Sequence, residues 1–200
     1  PQLMSEKAAQ YRMYVAGTIG LHDPTSDRVF NAALLYDRKG KLAGRYDKVH
    51  LYGPELHWEG VTPGEEVLVF QTDFGKVGFI TCFDSWFPDV AELAALKGAD
   101  LLLFPNLGYD RALMHTRALD NLINVAVSSR SGRYGVWDAL GHDVLDATPG
   151  SAHNPFCKDV LQTETANTGL LIVTLDLNAP GNLELNGGTR LPVPRGRRHL

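Results

Sequence analysis

Residues 75–90 constrain the fold of this chain more strongly than any other segment. The segment begins with a short apolar run that contains β-branched residues, which predicts a buried strand. It ends with the signals of a helix start, because Asp84 or Ser85 can cap a helix and Pro88 suits a first turn. Cys82 lies at the turn between the two. The segment therefore predicts a strand–turn–helix unit that displays a thiol at the edge of a sheet.

A cysteine at such a turn has two interpretations. The N-terminal amides of a helix lower the pKa of a nearby thiol and favour the nucleophilic thiolate. A free cysteine in an apolar segment is also commonly a small buried hydrophobe. The residues next to Cys82 leave both interpretations open, so the rest of the chain has to decide between them.

The remaining sequence predicts an α/β fold. Strands are predicted over residues 14–19, 29–36, 42–46, 67–71, 100–104, 125–127 and 169–175, with a hairpin over 135–140 and 142–146. Helices are predicted over residues 2–10, 87–97 and 111–124. Residues 20–28 are predicted to form a turn-rich link, and residues 47–66 and 148–167 are predicted to be irregular. Strands and helices alternate in the middle of the chain and hairpins lie towards both ends, which indicates a mixed sheet covered by helices.

Composition excludes several classes of protein. Two hundred residues with 44% apolar and 21% charged side chains predict one globular domain over 1–200, of which 178–200 forms an extended tail. The net charge of −4 argues against binding to nucleic acid. No apolar run is long enough to span a membrane. Cys82 and Cys157 are the two cysteines, so no disulfide framework is expected and the sequence favours a reducing, cytoplasmic location.

Several charged residues and histidines also lie close together in the sequence, just after the predicted strand 42–46. Lys48 follows that strand and Glu55 lies in the loop beyond it, although single charges in loops are usually solvated. His50 and His57 could join Cys82 as zinc ligands, but their spacing fits no common zinc pattern. The sequence therefore predicts neither a metal nor another cofactor.

Several motifs resemble those of the nitrilase superfamily, the carbon–nitrogen hydrolases. Residues 44–51, Gly-Arg-Tyr-Asp-Lys-Val-His-Leu, resemble the lysine motif of that family. Residues 82–89, Cys-Phe-Asp-Ser-Trp-Phe-Pro-Asp, resemble its cysteine motif. Further similar stretches follow in the order of the family at residues 64–78, 95–101 and 117–121. The resemblance runs from about residue 12 to residue 176 and implies an αββα sandwich, with two sheets face to face between helical layers.

The resemblance implies a Glu–Lys–Cys site. Cys82 would attack the carbon of a non-peptide amide, carbamoyl group or nitrile and form a thioester-type intermediate. Lys48, with the backbone N–H of Phe83, would stabilise the oxyanion that develops. Glu55 would be the second glutamate of the family, which orients the substrate and the lysine, and Glu59 is the alternative for this role.

The resemblance also implies substrate-binding residues and partners. Asn106, Trp58 and Asp84 are the expected substrate-binding residues, although an asparagine at the end of a strand can equally well cap a turn. The expected partner is a small-molecule amide or nitrile, and the expected assembly is a homodimer or a larger homo-oligomer.

The chain departs from the family in one respect. The general base of the family is a first glutamate in a Pro-Glu motif well before the lysine. Glu6 is the only acidic residue before Asp23, and it lies in the predicted helix before the first strand, which is the wrong place. The N-terminal elements of the fold are therefore expected to be missing from this sequence. The alternative to a hydrolase is an inactive homologue that serves in binding or scaffolding.

Overall fold

The computed structural model describes residues 1–57, 60–130, 134–145, 157–164, 169–177, 181–185 and 189–193. Its α-helices are α1 (Gln2–Tyr11), α2 (Gly53–His57), α3 (Asp89–Leu96) and α4 (Arg111–Asn121), and Cys82–Trp86 forms a 3₁₀ helix. The first strands are β1 (Val15–Asp23), β2 (Arg28–Tyr36), β3 (Leu42–Asp47), β4 (Val69–Gln71), β5 (Lys76–Phe79) and β6 (Leu101–Asn106). The later strands are β7 (Asn124–Ser129), β8 (Tyr134–Trp137), β9 (Cys157–Glu164), β10 (Gly169–Leu175), β11 (Gly181–Leu185) and β12 (Thr189–Val193).

The strands form two main sheets and two hairpins. One sheet is antiparallel with the order β1-β2-β3. The other has the order β4-β5-β6-β7-β8, in which β5, β6 and β7 are parallel and the two outer strands are antiparallel to their neighbours. The pairs β9–β10 and β11–β12 are antiparallel hairpins. The mixed α/β architecture predicted from the sequence is confirmed.

Alternating burial along β2 shows how the layers stack. Ala33 and Leu35 point into the main core between the sheets, where Tyr46 of β3 stacks on Phe79 of β5 with ring centroids 6.4 Å apart. The neighbouring residues Ala32 and Leu34 point the other way and pack against Ala8 of α1. Successive side chains of a strand face opposite sides, so β2 separates a helix layer from a sheet layer.

The second helical layer lies on the far side of the five-stranded sheet. Gly78 of β5 lets α3 approach closely, because a Cβ atom there would lie 3.1 Å from the Cβ of Ala94. Ala91 of α3 and Met114 of α4 are fully buried in the same core. The order is therefore helix, sheet, sheet, helix, which is the αββα sandwich that the resemblance implied.

The N-terminal hairpin is longer than the sequence predicts. β1 continues to Asp23 instead of ending at residue 19, and its residues alternate between half-buried and exposed. Gly17 and Gly20 weaken the strand signal in this segment. The carboxylate of Asp23 accepts hydrogen bonds from the Thr25 N–H at 2.9 Å and the Ser26 hydroxyl at 2.8 Å. The predicted turn-rich link over 20–28 is thus shorter in the structure, where a turn stabilised by Asp23 joins the extended β1 to β2.

Other elements also differ from the sequence prediction. The α-helix after Cys82 begins at Asp89 rather than at residue 87, because the 3₁₀ helix precedes it. The irregular segment 47–66 contains α2, and 148–167 contains β9. Residues 178–200 contain the hairpin β11–β12 within the predicted tail. The second half of the predicted hairpin 135–146 makes one isolated bridge, between Trp137 and Asp143. Among the described helices, none has both the length and the apolar character needed to cross a bilayer.

We expect Gly64→Ala to destabilise the fold. The Gly64 N–H donates to the Lys48 carbonyl at 2.8 Å, and a Cβ at Gly64 would lie 2.0 Å from the backbone oxygen of Asp47. Backbone at the end of β3 cannot move away without loss of this contact, so overpacking should lower the free energy of unfolding by about 1–3 kcal/mol. Urea unfolding measures the change. Gly20→Ala is the control, because a Cβ there meets nothing within 4 Å. Equal stability of the two variants would contradict the packing argument.

Candidate functional site

The candidate site lies where strands of the two facing sheets end. Cys82 follows β5, and Asn106 is the last residue of β6. These neighbouring strands are parallel, so their carboxyl ends meet at one edge of the sheet, where α/β folds commonly bind ligands. Lys48 follows β3 of the opposite sheet, and Glu55 lies on α2. The fold thus brings Lys48, Glu55 and Cys82 together from three separate segments.

Lys48 is buried and tightly held. Its side chain is 1% exposed, and its ammonium donates to Oε2 of Glu55 at 2.5 Å. Its N–H donates to the carbonyl of Asn31 at 2.9 Å, and its carbonyl accepts from the N–H of Gly64 at 2.8 Å. A buried ammonium requires a partner of opposite charge, so Glu55 is needed to keep Lys48 inside the protein. The solvated lysine that loops usually carry is not what the structure shows here.

Glu55 accepts three hydrogen bonds from the residues that the structure describes. One oxygen accepts from the side-chain amide of Asn31 at 2.6 Å, and the other accepts from the Tyr52 N–H at 2.7 Å and from Lys48. Burial opposes ionisation of Glu55, but the hydrogen bonds from Lys48, Asn31 and Tyr52 outweigh it and hold the pKa of Glu55 below its usual value. Glu55 is therefore an ionised, oriented carboxylate at neutral pH.

Cys82 has an uncommon backbone conformation. Its φ of 47° lies in the left-handed region, which residues other than glycine rarely adopt. The carbonyl of Cys82 accepts from the Ser85 hydroxyl at 2.8 Å within the 3₁₀ helix. Strained backbone conformations persist where the surrounding structure holds them and cluster at functional sites. The turn displays a half-buried thiol at the edge of the sheet, as the sequence predicted.

The pKa of the Cys82 thiol differs from the sequence expectation. Burial raises this pKa, the charge of Lys48 lowers it, the charge of Glu55 raises it again and the N–H of Phe83 lowers it. The result is a raised pKa, so the expected lowering by a helix N-terminus is wrong. The physical reason is burial of the thiol, which outweighs the lowering by Lys48 and by the N–H of Phe83. The α-helix itself begins only at Asp89, after the short 3₁₀ helix at the turn.

Asp84 has a structural position rather than an accessible one. Its side chain is fully buried and accepts from the Tyr46 hydroxyl at 2.7 Å, the Thr81 N–H at 2.9 Å and the His50 N–H at 2.8 Å. Burial raises the pKa of Asp84 against the effect of these hydrogen bonds. Asp84 has no exposed surface in this structure, and its expected role in substrate binding stays a prediction. Asp84 instead ties the cysteine turn to the lysine segment.

The other predicted site residues have different outcomes. The N–H of Phe83 lowers the pKa of the Cys82 thiol, and its expected role as an oxyanion donor stays a prediction. Asn106 is half-buried, and its side-chain oxygen is a buried acceptor that has no hydrogen-bond partner within the described ranges. Trp58 and Glu59 lie outside the described residues.

Aromatic side chains border the cysteine turn. Phe83 makes edge contacts with Tyr52 at 5.7 Å and with Phe87 at 5.4 Å, and Tyr52 and Trp86 are more than half exposed. His50 stacks on Phe87 at 4.2 Å. These residues give the site an apolar rim.

The geometry gives no support to a zinc site. The ring of His50 pairs with Asp89, Nε2 to Oδ1, at 2.9 Å, and His57 is exposed. Within the described ranges, no three His, Cys, Asp or Glu side chains are grouped closely enough to hold a metal ion.

The chain that carries this arrangement of Lys48, Glu55 and Cys82 also matches a known protein family. The family model for carbon–nitrogen hydrolases matches residues 2–183. The chain belongs to the carbon–nitrogen hydrolase family. This family is the nitrilase superfamily that the lysine and cysteine motifs resemble.

Curated relatives of this carbon–nitrogen hydrolase include omega-amidases. The Saccharomyces cerevisiae omega-amidase is 29% identical over 160 residues, which is 72% of this chain and 55% of the relative. The Xenopus tropicalis omega-amidase is 24% identical over 214 residues, which is 98% of this chain and 72% of the relative. The chain thus spans little more than half the length of the yeast protein.

Solved structures show the same fold. One is the crystal structure of the yeast protein, which is described as a member of branch 10 of the nitrilase superfamily. The match has a TM-score of 0.65 at 30% sequence identity, and it includes 72% of this chain and 58% of the yeast chain. An amidase from Nesterenkonia has a TM-score of 0.67 at 22% identity and covers 88% of this chain and 67% of that one. At 22% identity the second likeness shows the fold alone.

We predict opposite effects of the two charged neighbours on the Cys82 thiol. Lys48→Met removes the charge that lowers the thiol pKa, so alkylation of Cys82 near neutral pH should slow several-fold. Glu55→Gln removes a charge that raises this pKa, so alkylation should accelerate. The rate of iodoacetamide labelling against pH, in a Cys157→Ser background, measures both changes. Glu6→Gln, at an exposed position of α1, is the control and should change nothing. A shift in the same direction for both variants would contradict the arrangement described here.

Proposed function

We propose that this chain supplies the nucleophile and the oxyanion donor of a hydrolase that cleaves non-peptide carbon–nitrogen bonds. The observation that carries the proposal is a fully buried lysine, paired with an oriented glutamate, beside the thiol of a strained turn. The lysine motif and the cysteine motif of the family lie at these positions. The substrate we propose is a small amide, and a carbamoyl amide or a nitrile is the further expectation from the resemblance.

In the proposed reaction, the sulfur of Cys82 forms a bond with the carbonyl carbon of the amide. The carbonyl oxygen gains negative charge, and the ammonium of Lys48 and the N–H of Phe83 stabilise it. The C–N bond then breaks, and the amine leaves with the proton that the thiol lost. Water attacks the thioester, the C–S bond breaks, and the sulfur takes up a proton from that water. The sum is amide plus water giving carboxylic acid plus amine.

Glu55 is proposed to orient Lys48 rather than to move protons. An effective general base has a pKa near the working pH, and the pKa of Glu55 is held below its usual value. All three hydrogen bonds to Glu55 stabilise its ionised form. A permanently ionised carboxylate is suited to fixing the position of the lysine ammonium. This assigns to Glu55 the role that the resemblance gives to the second glutamate.

The general base is proposed to be the first glutamate of the family, which the resemblance places before the lysine. Glu6 does not fit this role, because it is exposed on α1 and accepts a hydrogen bond from Gln2 at 2.8 Å. No other glutamate precedes Lys48 in this sequence. Glu6 is therefore not proposed as the general base of this reaction.

Relatives support an amide as the substrate. The yeast and frog proteins are named omega-amidases, and the Nesterenkonia protein is named an amidase. Since this chain spans about half of the yeast protein, the transfer of their activity is a proposal. Asn106 and Trp58 stay predicted substrate-binding residues, and the homo-oligomeric state and cytoplasmic location stay predictions.

The second candidate function is an inactive homologue that binds or scaffolds. One observation favours it: Glu6, the glutamate that precedes Lys48, is exposed and bonded to Gln2, which does not suit a catalytic base. The apolar rim around Phe83 could then serve binding without turnover. Measured turnover decides between the two functions.

We expect Cys82→Ala and Lys48→Met to abolish hydrolysis in the protein produced from its natural reading frame. Loss of one oxyanion donor typically costs about a hundred- to a thousand-fold in rate. Ammonia release from a panel of small amides, carbamoyl amino acids and nitriles measures turnover. Cys157→Ser is the matched control and should retain turnover. Wild-type turnover by Lys48→Met would remove Lys48 from the mechanism, and no turnover by the wild type on any substrate would favour the inactive homologue.

A further inference from the structure

We infer that Asn31 is a positioning residue that fixes the Lys48–Glu55 pair beside Cys82. The inference rests on the proposed function, and it adds a residue to which the sequence analysis gave no role. Asn31 lies on β2, 24 residues before Glu55 in the sequence. It contacts both members of the pair, one through its side chain and the other through its backbone.

The side chain of Asn31 acts on Glu55. Its amide nitrogen donates to Oε1 of Glu55 at 2.6 Å, whereas Lys48 and the Tyr52 N–H both donate to Oε2. Asn31 is therefore the donor that holds the other end of the carboxylate. With both oxygens fixed, the carboxylate cannot rotate about its terminal bond, and the position of Oε2 against the ammonium is determined.

The backbone of Asn31 acts on Lys48. Its carbonyl accepts from the Lys48 N–H at 2.9 Å, directly beyond the last ladder pair of β2 and β3, Ala32 with Asp47. The strand pairing thus extends by one hydrogen bond to the residue that carries the ammonium. Asn31 thus fixes both the backbone position of Lys48 and the orientation of its counter-ion, Glu55. Substitution of the Asn31 side chain leaves the backbone hydrogen bond in place, so the two contributions can be separated.

The surroundings explain why the carboxylate needs this donor. Asn31 and Glu55 line an open cleft of about 320 Å³, together with Thr18, Val29 and Val61. Water in the cleft can compete for Oε1 of Glu55, and the Asn31 amide occupies that oxygen. Among the described residues, Lys48 is the charged group that acts on Glu55, and Glu55 in turn acts on the Cys82 thiol. Asn31, by contrast, is neutral, so it orients the carboxylate of Glu55 without adding charge to the site.

Two substitutions test the side chain. Asn31→Leu removes the donor at similar volume, and Asn31→Asp replaces it with a carboxylate that faces Glu55. Loss of the donor raises the pKa of Glu55, and a second negative charge raises it further. The expected order of Glu55 titration midpoints is wild type, then Asn31→Leu, then Asn31→Asp. ¹³C NMR of glutamate-labelled protein measures the midpoints, with Glu55→Gln assigning the resonance.

A kinetic measurement shows whether this position matters for the reaction. Misplacement of a reacting group by about 1 Å can cost a hundred-fold in rate, so kcat should fall by about ten- to a hundred-fold with KM little changed. Thr18→Val is the matched control, because Thr18 lines the same cleft but is not one of the three donors to Glu55. It should leave the Glu55 midpoint and kcat as in the wild type.

The outcomes separate this inference from the proposed function. An unchanged Glu55 midpoint in both Asn31 variants overturns the inference, whether or not the protein turns over a substrate. A raised midpoint with unchanged kcat also overturns it, because the orientation of Glu55 would then not serve the reaction. If the wild type lacks turnover, the proposed function fails, and the titration alone still decides whether Asn31 fixes Glu55. Raised midpoints with a lowered kcat support both.

Discussion

The burial of the Lys48 ammonium is the interaction on which the rest of the site depends. Alternate residues of β3 face the core, and Gly44, Tyr46 and Lys48 continue this inward face beyond the end of the strand. A lysine at that position must bring its charge inside, where removing its partner would cost about 3–5 kcal/mol. Glu55, which is 14% exposed, is this partner, and the short helix α2 holds it next to Lys48.

A second buried carboxylate joins the lysine segment to the cysteine turn. Asp84 accepts from Tyr46, two residues before Lys48, and from His50, two residues after it. It also accepts from Thr81, the residue before Cys82. The distance between ammonium and thiol is thus fixed by hydrogen bonds that neither group makes itself. This is why Asp84 is fully buried although its motif made it a candidate for contact with substrate.

The sequence predicted those parts of the fold and the site that depend on local patterns. The apolar runs of β5 and β6, the turn at Cys82 and the position of Lys48 after β3 all follow from neighbouring residues. The extension of β1 to Asp23 did not, because Gly17 and Gly20 hide the alternation that pairing with β2 reveals. The raised thiol pKa of Cys82 and the contact of Asn31 with Glu55 depend on burial and on segments far apart in sequence, which no local pattern contains.

The opposing charges around Cys82 bear on how the proposed reaction gains its rate. In the resting protein the effect of Lys48 on the thiol is offset by Glu55 and by burial, so the thiol is not held as a thiolate. Only interactions that are stronger in the transition state than in the ground state accelerate a reaction. When negative charge moves from sulfur to the substrate oxygen, the fixed ammonium and the N–H of Phe83 can stabilise it there. A site with a raised thiol pKa is therefore compatible with the proposed nucleophile, provided that a base removes the proton as the substrate is attacked.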